Sequence, residues 1–116
     1  MRIYRFEESV AWQKGQELAT EIYRLFRDHK DYGFRDQITR AAVSVSNNIA
    51  EGFDRDTEQE LRHFLYISRG SCAEVRSMVY LAEKLNYIDQ RQAEKLHEIA
   101  MGTSRLISSF IKKARK

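Results

Sequence analysis

The sequence predicts an all-α protein, a single antiparallel, up-down-up-down four-helix bundle over residues 1–116. Proline is absent and only five glycines occur, in a chain dominated by good helix formers. Apolar residues recur at three- and four-residue intervals along four stretches of similar length. Short connections separate those stretches, so consecutive helices must double back on one another. A length of 116 residues supports one sizeable core and not two.

The first helix is predicted from about Glu7 to His29, with Ala11, Gly15, Leu18, Ile22 and Leu25 on one stripe and Trp12, Ala19 and Tyr23 beside it. Asp31-Tyr-Gly then makes a turn. The second helix carries Ile38, Ala41, Ala42, Val45, Ile49 and Phe53 inward, and Gly52 near its end suits the left-handed conformation of a C-cap. Thr57-Glu-Gln-Glu60 has the form of a capping box and opens the third helix, whose core stripe is Leu61, Phe64, Leu65, Ser68, Cys72, Val75, Val79 and Ala82. Asn86-Tyr87 marks the next break. Asp89-Gln-Arg-Gln92 caps a fourth helix that buries Ala93, Leu96, Ile99, Ala100, Thr103, Ile107 and Phe110.

The third helix has more apolar surface than one core stripe needs. Ile67, Gly70, Met78, Leu81 and Leu85 follow a second helical spacing on the side away from the core, with Glu74 among them. A widened core is the plainer explanation. A subunit interface is the better one, because apolar stripes of this length are uncommon on soluble monomers.

Cys72 is the single cysteine, so it has no partner for an intramolecular bridge, and its place on the core stripe suits a small buried side chain. No segment has the apolar run of a signal peptide or a membrane span, so a cytoplasmic protein is expected, with no membrane partner. The net charge of +3 is modest but unevenly spread. Residues 31–60 hold three Arg against seven Asp and Glu, whereas residues 91–116 hold seven Lys and Arg against two Glu. An anionic partner would meet the C-terminal segment first.

The stretch AAVSVSNNIAEGFDR, residues 41–55, is rich in Ser and Asn, which favour caps and turns over helix interiors. On a helical wheel Arg40, Ser44, Asn48, Glu51 and Arg55 form one polar stripe beside the apolar one. A polar network at a helix contact explains that placement, and a ligand or nucleic-acid pocket built from the same groups is its rival.

The runs VAWQKGQELATEIYRLF, QITRAAVSVSNNIAEGFDR and FLYISRGSCAEVRSMVYLAEKLNYI together resemble the four-helix-bundle family named for proteins encoded in intervening sequences of bacterial 23S ribosomal RNA genes. The most specific parts are the RAA-S-x-x-N-IAEG core, Arg40 to Gly52, and the GS-x-x-E element of Gly70, Ser71 and Glu74. Ser46 departs from the pattern, since the family commonly has proline there and a kink in the second helix. The resemblance implies a homopentameric ring of antiparallel bundles with a basic surface and a nucleic-acid role. Related bundles include accessory proteins of diversity-generating retroelements, which work beside a reverse transcriptase.

Catalytic and metal chemistry finds little support. Glu60-Leu-Arg-His63 and Glu94-Lys-Leu-His97 have the spacing of di-iron ligands, with Glu17, Glu21 or Glu51 to complete a set, but His63 and Glu94 point away from the core. Ser44, Ser46, Ser68 and Ser71 have no histidine placed beside them on the same helix. The glycines are isolated from one another, so no phosphate loop is present. No enzyme activity, metal or cofactor is therefore expected.

The outward side of the fourth helix aligns Arg91, Lys95, Arg105, Lys112 and Lys116, with Lys113 at the edge, as phosphate neutralisation requires. A solvated face is the alternative, and repetition around a ring would turn weak contacts into avidity. The expectation is a homo-oligomeric module, pentameric by resemblance, that binds structured RNA or DNA. A scaffold that engages a protein partner without touching nucleic acid is the other reading.

Overall fold

Ser9, Asp31, Thr57 and Asp89 each start a helix for the same reason: a short side-chain oxygen accepts the backbone N–H three residues on, which would otherwise lack a partner. In the computed structural model, which describes residues 5–114, these caps open α1 (Val10–Phe26), α2 (Tyr32–Phe53), α3 (Glu58–Lys84) and α4 (Gln90–Lys113), and a short 3-10 turn at Phe6–Glu8 precedes them. Asp89 and Gln92 form a reciprocal capping box. At Thr57 the expected box is half made: Thr57 Oγ accepts from the Glu60 N–H, and the Glu60 carboxylate bonds the Thr57 hydroxyl instead of its backbone. The first helix is shorter than its expected span, because Ser9 caps it inside that span and the chain turns at Arg27.

Each helix packs against its neighbours in sequence and α1 also closes on α4, which is an antiparallel four-helix bundle; across the α2–α4 diagonal the Phe53 and Phe110 rings meet with centres 5.4 Å apart. It is a rod of 44 × 22 × 19 Å. The core is the sum of the inward stripes, with Phe26, Leu18, Ile22, Ile38, Ile49, Leu65, Leu96 and Ile107 fully buried. Leu25, Phe53, Leu61, Phe64, Ile99 and Phe110 stand at the edge of that core, half-buried. Phe26, Phe34, Ile111 and Ala114 are buried beyond the expected stripes.

Two glycines mark close approaches. A Cβ on Gly15 would lie 3.2 to 3.3 Å from Ser46 atoms, so α1 and α2 cross backbone to backbone at that point. Ser46 is buried there and accepts from the Gln16 amide at 3.0 Å, and α2 continues through it as helix. Gly52 was expected as a left-handed cap, but no glycine among the described residues has positive φ, and Gly52 lies within α2. What requires glycine is space, since a Cβ would meet Leu61 Cδ1 at 3.0 Å and Phe64 Cβ at 3.1 Å. The left-handed residue is Asn86 after α3, at φ 62, where the Tyr87 N–H reaches back to the Ala82 carbonyl at 2.9 Å. At this end of the rod the Tyr87 hydroxyl donates to Asp31 at 2.6 Å, tying the two turns together and holding the Asp31 carboxyl below its ordinary range.

Candidate functional site

The basic residues of α4 divide into two groups. Lys95 pairs with Glu21 of α1 at 3.5 Å, and Arg91 is exposed near the helix start. Arg105, Lys112 and Lys113 are exposed and make no ion pair among the described residues. Lys116 lies outside the described residues. Arg105 and Lys112 line a hollow of about 380 Å³ together with Ser104, Ser108, Ser109 and Met101. Its remaining wall is Arg76, contributed by α3, so the hollow lies along the α3–α4 seam and contains three cations, three hydroxyls and no carboxylate. The sequence reading assigned the α4 half of this surface and missed the α3 half, whose heptad-spaced Arg62, Arg69 and Arg76 were the available signal.

The polar stripe of α2 resolves into separate contacts. Asn48 donates to the Ser44 carbonyl and hydroxyl, both at 2.8 Å, and the Ser44 hydroxyl meets Ser71 of α3 at 2.9 Å. Farther along the same crevice Gln37 donates to Glu74 at 3.4 Å. Glu51 and Arg55 are not part of this network: they form their own exposed i,i+4 pair at 3.1 Å, and the Arg55 guanidinium lies over the Phe64 ring of α3, 4.6 Å from its centre. Arg40 is exposed and unpaired among the described residues, beside a shallow hollow that it lines with Tyr23, Ser44 and Asn48.

The apolar stripe of α3 is partly outward. Ile67, Leu81 and Leu85 are 39%, 46% and 46% exposed, and a Cβ on Gly70 would meet nothing within 4 Å. Met78 does not belong with them. It is only 8% exposed, because it stands three residues after Val75 and four before Ala82, both fully buried, and turns into the α2–α3 crevice.

A larger cavity of about 560 Å³ opens at the end of the rod among the start of α1, the α2–α3 connection and the end of α4. Its lining holds two cations, Arg55 and Lys113, and two carboxylates, Asp56 and Glu58, with no ion pair between them among the described residues. Among the described residues no group of three or more His, Cys, Asp or Glu is placed to hold a metal. His63 and Glu94 are exposed. The buried hydroxyls and the thiol serve the fold: Ser68 donates to the Val45 carbonyl at 2.6 Å, and Cys72 to the Ala100 carbonyl at 3.1 Å. Burial pushes the Cys72 thiol up to about 11. No helix is long and apolar enough to cross a membrane among the described residues.

A family model described as 23S rRNA-intervening sequence protein matches residues 7–109. The chain belongs to this family. Its fold is similar to the crystal structure of a protein of unknown function from the S23 ribosomal protein family of Bacteroides thetaiotaomicron, with a TM-score of 0.85 and 24% identity over 89% of this chain and 99% of that one. At that identity the likeness speaks for the fold alone. No curated protein matches the chain. Within the family bundle, the two segments that carry the sequence resemblance face each other across one crevice, joined by the Ser44–Ser71 hydroxyl contact.

Proposed function

We propose that this protein is a non-enzymatic, homo-oligomeric adaptor that binds nucleic acid through the basic C-terminal half of α4. The observation that carries the reading is the set of unneutralised cations at Arg105, Lys112 and Lys113, against the paired Lys95 earlier on the same helix. Cations left without carboxylate partners keep their full attraction for an external polyanion, and their binding releases its counterions. Assembly is supported by Ile67, Leu81 and Leu85, exposed apolar side chains along one edge of α3. A closed ring, pentameric as the family resemblance implies, would repeat the basic surface around its rim and multiply its strength.

The same apolar edge favours a second reading, in which the bundle is a scaffold for a protein partner and touches no nucleic acid. Salt separates the two. Replacing Arg105, Lys112 and Lys113 together with Gln should weaken RNA or DNA binding and flatten its dependence on salt, while helicity is retained. Equal affinity and equal salt slope in the parent and triple variant would reduce α4 to a solvated face. Absence of binding by the parent at low salt would leave the scaffold reading.

A further inference from the structure

We infer that the α3–α4 seam is a track for single-stranded nucleic acid, in which arginines of α3 hold the phosphates and Tyr80 offers a face to an unpaired base. The inference rests on the nucleic-acid reading above and moves its centre from the outer face of α4 to a groove shared with α3.

Arg62, Arg69 and Arg76 stand seven residues apart. Seven residues make nearly two helical turns, so the three keep to one side of α3 and follow each other at about 10.5 Å. Their contacts show which side. Arg62 donates to the Ala114 carbonyl at 2.6 Å and Arg69 to the Ser108 hydroxyl at 3.1 Å, both on α4, and Arg76 lines the hollow with Ser104 and Arg105. Such a row, about 21 Å from first to last, suits an extended polyanion better than one isolated phosphate.

These arginines have donors to spare. None of the three makes an ion pair among the described residues. A guanidinium carries five N–H donors, so one bond to a hydroxyl or carbonyl leaves Arg62 and Arg69 able to grip an oxyanion as well. The serine hydroxyls along the α4 wall add donors at the same level.

An aromatic face borders the row: Tyr80 is 52% exposed and backed by His97, with ring centres 4.1 Å apart. A row of arginines beside an exposed, supported aromatic ring is an arrangement that binds single strands, because stacking requires bases that are not already paired. Beyond Tyr80 carboxylates accompany the cations, Glu83 beside Lys84 on α3 and Glu94 and Glu98 beside Arg91 and Lys95 on α4, so the row of cations without carboxylates ends there.

The test is fluorescence anisotropy of the full chain with a labelled oligouridylate and with an RNA duplex of equal length, over a range of salt. Arg69→Gln with Arg76→Gln should weaken oligouridylate binding by about tenfold or more and lower the salt slope by about 1.4, two phosphates at about 0.7 each. Tyr80→Ala should weaken the single strand by about tenfold, leaving the salt slope and the duplex affinity unchanged. Arg69→Lys with Arg76→Lys should restore the slope, which guards against loss of folding in the Gln variant. A parent that binds the single strand while the Gln and Ala variants bind it equally well overturns the seam alone. A parent that prefers the duplex overturns the strand assignment, and a parent that binds neither probe overturns the nucleic-acid reading together with this one.

Discussion

All five glycines lie inside helices, yet alanine at Gly52, Gly70 and Gly102 should have three different outcomes, and the difference tests whether α3 carries a subunit contact. In a helix interior Gly→Ala stabilises by about 0.8 to 1.0 kcal/mol if the methyl has room. Gly102 has room, with nothing within 4 Å of a Cβ, so Gly102→Ala should raise stability by about that amount, or roughly 4 °C in melting temperature. Gly52 has none. A methyl there meets Leu61 at 3.0 Å and Phe64 at 3.1 Å, and overpacking of about 1 to 3 kcal/mol outweighs the propensity gain. Gly70 has as much room as Gly102 within one chain. If a second subunit packs closely on that edge, Gly70→Ala gains intrinsic helix stability and loses assembly at once. Urea unfolding at several protein concentrations, with light scattering, separates these effects. Gly70→Ala should dissociate at higher concentration than the parent, whereas Gly102→Ala should not. If the two variants gain equal stability and assemble equally, no partner approaches Gly70 and the proposed interface is wrong there.

Met78→Glu and Leu81→Glu, three residues apart, should behave oppositely in the same assays. The first puts a charge into a site 8% exposed and should abolish the folded state, seen as loss of helicity. The second should leave helicity intact and break the assembly; an unchanged oligomer would remove Leu81 from any interface. The third prediction concerns His97. Burial, then the charge of Arg76, holds it below its ordinary 6.5 against the opposing pull of Glu83. A base depressed by folding is protonated first in the unfolded chain, so its stabilisation is fully present above 6.5 and fades as pH falls below it. Between about pH 7 and about pH 5.5 the melting temperature should fall less in His97→Gln than in the parent, and parallel curves would mean that His97 titrates normally.

The architecture was legible because it depends on period. Leu18, Ile22, Ile38, Val45, Leu65, Val79, Leu96 and Ile107 all fall where the 3.6-residue pattern puts them and all are fully buried. Errors came where two stripes adjoin. Met78 and Leu81 share an apolar row on the wheel, but the crevice between α2 and α3 covers one and not the other, and a single helix does not encode how deeply its neighbour sits. Gly52 was misread for a related reason: position suggested a cap, and the true constraint is the side chains of Leu61 and Phe64 arriving from the next helix. The polar stripe was half legible. Ser44, Asn48 and Ser71 meet as the small residues implied, and Glu51 and Arg55 do not join them. The seam was missed because its cations belong to two helices, and reading α4 alone showed only Arg105 and Lys112.

The geometry of α3 bears on how the two proposed activities relate. Its core stripe separates an arginine row that faces α4 from an apolar edge, Ile67, Leu81 and Leu85, on the side toward α2. A seven-residue repeat drifts by only about 20° every two turns, so neither row crosses to the other's side within the length of the helix. In the proposed reading, subunits that join along the apolar edge therefore leave each seam uncovered, and assembly would multiply binding without forming the site. That separation has a consequence for Leu81→Glu. A dissociated subunit should keep the salt slope of its own seam for a short oligouridylate and lose only the avidity seen with long RNA. If dissociation abolished short-probe binding as well, the site would need residues from two subunits, and the seam of a single bundle would be insufficient.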